Sequence, residues 1–231
     1  MTENKVGLVV AAHPDDEILG CGGTVASMVD AGWTMHSLIM AEGTTSRDAS
    51  RNSEGRRDEL AELVRCAHAA AEILGAQQPR MLGFPDNRMD SANLLDVVKA
   101  VEETIREVRP QRIFTHANCD VNIDHRVVHD AVIAAARPQP EDYRGELYFF
   151  ETVSSTEWRP PTSLPVFAPC AFSDISNFLS RKLEALRAYA PEMREYPHPR
   201  SLEAIENLAY VRGVSVGVRA AEAFEIGRIF I

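Results

Sequence analysis

Cysteine is scarce in this chain: Cys21, Cys66, Cys119 and Cys170 are the only four in 231 residues, with no Cys-x-x-Cys pair among them. That excludes a disulfide framework and a structural zinc knuckle, and the four read as small apolar residues in a reducing compartment. No apolar run approaches the ~20 residues that span a bilayer. Met1 to Lys5 lacks the charged start and long apolar stretch of a secretory leader. Positive charge is also short, with 24 Lys and Arg against 34 Asp and Glu and a net charge of −10, which excludes a broad basic footprint for nucleic acid. The glycine-rich stretch Leu19-Gly20-Cys21-Gly22-Gly23-Thr24 fits neither the dinucleotide fingerprint nor the P-loop, so its glycines read as close packing of a first helix. Internal repeats and low-complexity tracts are absent. These absences describe a cytoplasmic protein with no nucleic-acid partner and no membrane insertion; they leave homo-oligomerisation open.

What is present is 45% hydrophobic content, enough for one substantial core. Val6 to Ala11 is apolar on both faces, as in a central parallel strand. Helical spacing follows over Asp15 to Ala31, then a strand over Thr34 to Met40, a polar loop, and an amphipathic helix over Glu54 to Leu74 stopped by Gly75. A strand near Arg80 to Leu82, a helix over Leu94 to Val108, a strand over Arg112 to Thr115, a helix over His125 to Ala136 and a strand over Leu147 to Phe150 continue the alternation. Short βα connections of this kind predict an α/β, three-layer Rossmann-like fold with a mainly parallel sheet. The expected organisation is a single domain over 1–231. Its part from 153 onward forms a lid or substrate wall (Val153 to Pro169) and C-terminal helices over Asp174 to Tyr189 and Ser201 to Val211.

The chemistry sits at strand exits, where open α/β folds place it. Ala12-His13-Pro14-Asp15-Asp16-Glu17 follows the first strand, and Asn122-Ile123-Asp124-His125 closes the loop after the fourth. His13, Asp16 and His125 can converge on one metal ion, with Asp15 between the first two, free to take a proton from water. Asp124 or Asp120 can accept the second N–H of a ligand imidazole. Two histidines and an aspartate favour Zn2+, and Fe2+ fits similar ligands. Read alone, His-Pro-Asp-Asp is also a sound helix cap; its pairing with Asp-His at another strand end favours the metal. Arg47, Asp86 and Arg88 lie in loops on the same rim, where they can bind substrate, and Trp158 can offer a stacking face.

These motifs resemble the LmbE-like (PIG-L) family of zinc-dependent N-deacetylases, with looser similarity through Glu42-Gly43, the helix from Arg56 to Leu74 and Gly83-Phe84-Pro85-Asp86, over about the first 150 residues. The resemblance implies hydrolysis of an acetamide on an amino sugar or its conjugate, nucleotide-linked in one version. His13, Asp16 and His125 become zinc ligands and Asp15 the general base. One position departs: many members carry a histidine three residues before the ligand histidine, and here it is Asn122. An asparagine amide can donate to a developing oxyanion without carrying charge; His129 and His198 are the other candidates. The competing expectations are a non-catalytic metal-containing sugar-binding protein and a metal-dependent hydrolase of a different amide or a cyclic ester-like substrate.

Overall fold

The computed structural model describes residues 5–138, 144–162 and 165–231. Residues 1–4, read above for a leader, and residues 163 and 164 of the lid segment lie outside these. The described residues form one seven-stranded sheet in the order β3-β2-β1-β4-β5-β7-β6. β1 (Val6–Ala11), β2 (Thr34–Ala41), β3 (Arg80–Phe84), β4 (Arg112–His116) and β5 (Glu146–Phe150) run parallel. β6 (Ala171–Asp174) and β7 (Ala221–Arg228) complete the sheet, with β7 antiparallel to both its neighbours.

β1 is buried along its whole length because it pairs on both edges and is covered on both faces, which is why its sequence is apolar without alternation. One face packs against α1 (Asp16–Asp30), α2 (Arg57–Leu74), α5 (Leu179–Ala188) and α6 (Leu202–Val214). The other packs against α3 (Leu94–Val108) and α4 (Ile123–Ala135). The three-layer, mainly parallel architecture is thus present. α3 keeps its predicted bounds and α2 ends at Gly75, whose φ of 74° is the left-handed turn that glycine permits. Among the described residues no helix is long and apolar enough to cross a membrane.

One expectation for the C-terminal part is corrected. The helix expected over Asp174 to Tyr189 begins at Leu179, because Asp174 ends a strand and its Oδ1 accepts the Ser176 amide at 2.9 Å, turning the chain first. Beside the two helices expected there, the part beyond residue 153 also adds the strands β6 and β7 to the sheet. Ala220-Ala221-Glu222-Ala223 is made of good helix formers, but pairing between β5 and β6 and burial of Phe224 override that preference.

The glycine-rich stretch does serve close packing: a Cβ on Gly20 would stand 2.2 Å from the Phe150 ring. It also breaks α1, where Cys21 leaves helical geometry at φ −149°. The backbone groups freed there are satisfied by the C-terminal part. Lys182 Nζ donates to the Leu19 carbonyl at 2.8 Å, and the Glu222 carboxylate accepts the Gly23 and Thr24 amides at 2.9 and 2.6 Å. Lys182 and Glu222 pair with each other at 2.6 Å, both buried.

Candidate metal and catalytic site

In the parallel part of the sheet the strand order reverses between β1 and β4, and a crevice opens at their carboxyl ends. His13, Asp15 and Asp16 follow β1, and Asp120, Asn122, Asp124 and His125 follow β4. The two motifs, more than 100 residues apart, meet there. His13 Nδ1 lies 3.1 Å from Asp16 Oδ2, His125 Nε2 lies 3.2 Å from the same oxygen, and the two nitrogens are 3.3 Å apart. Ligand bonds of 2.0–2.1 Å in a tetrahedron set donors roughly 3.3 Å apart. The three atoms therefore have the spacing of one face of a tetrahedral cation site.

The outer atoms fit as well. His13 Nε2 donates to Asp124 Oδ2 at 3.0 Å, and His125 Nδ1 donates to Asp120 Oδ2 at 3.0 Å. A carboxylate only accepts, so each bond fixes a tautomer whose lone pair faces the centre. Both aspartates expected as orienting groups are used, one per histidine. Asp124 is itself held by the amides of Asn87 and Met89 at 2.7 and 2.8 Å. Asp120 is held by Ser155 and Thr156. Asp16 Oδ1 is buried without a hydrogen-bond partner, which suits a carboxylate whose remaining charge would be balanced by a cation. A second grouping, His13 with Asp86 and Asp124, has oxygens that already accept from Asn87, Asp124 Oδ2 from its backbone amide at 2.7 Å and Asp86 Oδ1 from its Nδ2 at 3.2 Å, and reads as support for His13.

The charges follow this arrangement. Burial disfavours the imidazolium of His13, but its bonds to Asp124 and Asp16 outweigh that and raise its pKa well above the ordinary value. His125 is raised against burial by the Asp16 charge and its Asp120 bond. Burial would raise Asp16, yet the His125 charge and the bonds from both histidines hold it well below the usual carboxylate range. His116, which sequence reasoning missed, stacks on His125 with ring centroids 4.0 Å apart. Its Nε2 accepts the Ala12 amide at 2.9 Å and its Nδ1 donates to Thr152 at 3.1 Å; burial and the nearby His125 charge hold it well below the ordinary value.

Asp15 stands at φ 109°, an uncommon left-handed position for a side-chain-bearing residue, and is 1% exposed. Its amide donates to Glu17 Oε2 at 3.0 Å, and Glu17 Oε1 accepts the Tyr189 hydroxyl at 2.6 Å. Burial pushes Glu17 up to about 7. Burial likewise pushes Asp15 well above the usual range, against the pull of the Arg200 guanidinium, which donates to Asp15 Oδ2 at 2.7 Å.

The cleft beside these groups encloses about 110 Å³, and among its walls are His13, Asp15, Arg47, Asp86, Asn122 and Arg200. Asn122 caps α4, its Oδ1 accepting the Asp124 amide at 2.9 Å, and its Nδ2 donates to Asn87 at 2.9 Å. Arg47 reaches across to Glu192, with Nη2 at 2.9 and 3.2 Å from the two carboxylate oxygens. Three sequence candidates are placed otherwise. Arg88 is not among the cleft walls; it donates to the carbonyls of Asp48 and Ala49 at 2.9 and 3.3 Å and braces the loop after β2. His129 packs on Phe149 and bonds the His116 carbonyl at 2.8 Å. His198 lies edge-on to the half-exposed Trp158 and accepts the Arg200 amide at 3.0 Å. Arg200, two residues beyond His198, is a cleft residue that sequence reasoning passed over, as are Glu192 and Asn87; the signal for Arg200 was a proline-flanked loop leading into the Ser201 cap of α6.

Residues 8–136 match the family model described as PIG-L, GlcNAc-PI de-N-acetylase. The chain is 29% identical over 184 residues to a probable N-acetyl-alpha-D-glucosaminyl L-malate deacetylase 2 of Bacillus cereus, covering 79% of this chain and 81% of that protein. It is 28% identical to a 4-oxalmesaconate hydratase of Pseudomonas putida, covering 95% of this chain and 86% of that one. The fold is shared with the N,N'-diacetylchitobiose deacetylase of Pyrococcus horikoshii, at a TM-score of 0.77 and 20% identity over 97% of this chain and 84% of that one.

Proposed function

Because the chain belongs to the PIG-L family, we propose that it is a zinc-dependent N-deacetylase that removes an acetyl group from an amino sugar or sugar conjugate. The observation that carries this reading is the set of three donor atoms within 3.3 Å of one another, beside a carboxylate with one unpartnered oxygen. His13, Asp16 and His125 would hold the ion. Zinc bound there acts as a Lewis acid, making water a nucleophile near neutral pH and polarising the amide carbonyl; ferrous iron suits the same donors.

The protein's own part is proton transfer and placement. Asp15 takes a proton from the attacking water, whose oxygen adds to the carbonyl carbon. As the C–N bond breaks, Asp15 returns the proton to the leaving nitrogen, so a free amine and acetic acid depart, the acid ionising to acetate in water, and the carboxylate is restored. Asn122 supplies a neutral donor to the developing oxyanion, one Nδ2 hydrogen being held by Asn87 and the other remaining for substrate. Asp86 and Arg47 meet the sugar hydroxyls or an attached anionic group. We read residues 1–231 as one catalytic domain working in the cytoplasm, where the buried thiols of Cys21, Cys66 and Cys119 stay reduced.

The test is acetate release from a panel of N-acetylated sugars, free and nucleotide-linked, with zinc-loaded protein and a chelated control. Chelator-sensitive release from a panel member supports the reading. Zinc bound without release from any member removes it. The likeness to the hydratase over 95% of the chain favours, as the second reading, hydration of an unsaturated carboxylate by the same base, which consumes substrate without freeing acetate.

A further inference from the structure

Arg200 lies 185 positions from Asp15 in the chain, yet its Nη1 donates to Asp15 Oδ2 at 2.7 Å. The guanidinium is fixed from one further direction, and the Arg200 main chain from another. Nε donates to Ser154 Oγ at 2.9 Å, and the Arg200 amide donates to His198 Nδ1 at 3.0 Å. Glu192, the other acid near Arg200 at 3.9 Å, is engaged more closely by Arg47 at 2.9 Å, which leaves Asp15 as the short partner. The Asp15 backbone is held independently through Glu17 and Tyr189. With the main chain fixed there and Oδ2 tied to Arg200, Oδ1 is buried and has no hydrogen-bond partner.

We propose that Arg200 is the positioning residue of the base: by binding Oδ2 it sets the rotation of the Asp15 carboxylate and leaves Oδ1 as the atom that accepts the proton. This rests on the deacetylase reading above. The arginine cannot itself serve as base, because a guanidinium does not give up its proton in a protein. It also places a cation against a carboxylate that is buried. A lysine would not reproduce the arrangement, since one compact ammonium lacks the planar fork that spans Asp15 and Ser154 together.

The experiment compares the zinc-loaded parent with Arg200→Ala and Arg200→Lys, measuring kcat, KM, zinc per chain and thermal midpoint, and adds guanidinium ion to the alanine variant. The expected result is a kcat loss of roughly 100-fold in Arg200→Ala, the scale of a 1 Å misplacement. KM should stay within about threefold, zinc should remain bound, and added guanidinium should recover part of kcat in Arg200→Ala and none in Asp15→Ala. Arg200→Lys should fold and remain impaired, so the answer survives if the alanine variant is unstable. Unchanged kcat in both variants overturns the proposal. So does a rise in KM alone, which would make Arg200 a substrate contact. A crystal structure of the variant separates this proposal from the function on which it rests. A turned Asp15 carboxylate supports positioning even if the parent releases no acetate, and a carboxylate left unmoved overturns it even if the parent is an active deacetylase.

Discussion

The part of the chain up to α4 and the part from β5 onward contribute to the site in different ways. The first supplies His13, Asp15, Asp16, Asn122 and His125 from the exits of two adjacent parallel strands, in the turn after β1 and in the loop and helix start after β4. Among the described residues the second adds no metal-ligand candidate. It supplies partners: Arg200 to Asp15, Tyr189 to Glu17, Ser155 and Thr156 to Asp120, and Lys182 with Glu222 to the broken turn of α1. Reactive groups concentrate where topology brings strand ends together, with Asp120 and Asp124 beside them in the same motif, whereas the further groups that hold them come from wherever the chain later packs. A motif search finds the first kind and is blind to the second.

That division can be broken by substitution. The largest effect is expected from Asp15→Ala, which should lower kcat by about 10²–10⁴-fold while zinc per chain, read by metal analysis, stays unchanged. Loss of zinc together with activity would make Asp15 part of the cation site and erase the distinction between ligand and base. Lys182→Met, on the other side of the comparison, leaves Glu222 buried without its cation. It should cost ~3–5 kcal/mol of stability, seen in denaturant unfolding, while folded protein retains zinc. A stable Lys182→Met protein that binds no zinc would mean that the C-terminal part shapes the metal centre directly.

Asn122→Asp sharpens the first half. Aspartate caps a helix as well as asparagine does, so the fold should hold, but the amide donor is gone and kcat should fall roughly 10²–10³-fold. Activity near the parent's would leave Asn122 as a helix cap alone and pass the oxyanion role to another donor. The smallest effect belongs to Asp120→Asn, where an orienting partner from the first half is itself held by the second. Zinc affinity measured by chelator competition should weaken about 10–100-fold, and an unchanged affinity would show that Asp120 does not orient His125.

Much of the parallel half was legible because its signals are local. Val6 to Ala11 is apolar without alternation, Gly75 marks a helix end, and His-Pro-Asp-Asp and Asp-His mark strand exits. The strand at Ala221–Arg228 was not legible, since alanine and glutamate prefer a helix and only the gap between β5 and β6 makes that segment extended. Arg88 and Arg200 show the same limit within the site. Both are arginines in loops, and their composition does not distinguish the one that binds the Asp48 and Ala49 carbonyls from the one that binds Asp15.

The sequence by itself determined the alternating α/β order, the residues able to hold a metal and the carboxylate beside them, because periodicity and side-chain chemistry are properties of short segments. Tertiary structure alone decided that His13 leans on Asp124 while His125 leans on Asp120, that Arg88 braces a loop, and that Arg200 reaches Asp15. Those pairings depend on which side chains the folded chain brings within hydrogen-bond reach, and no segment's own preference specifies that.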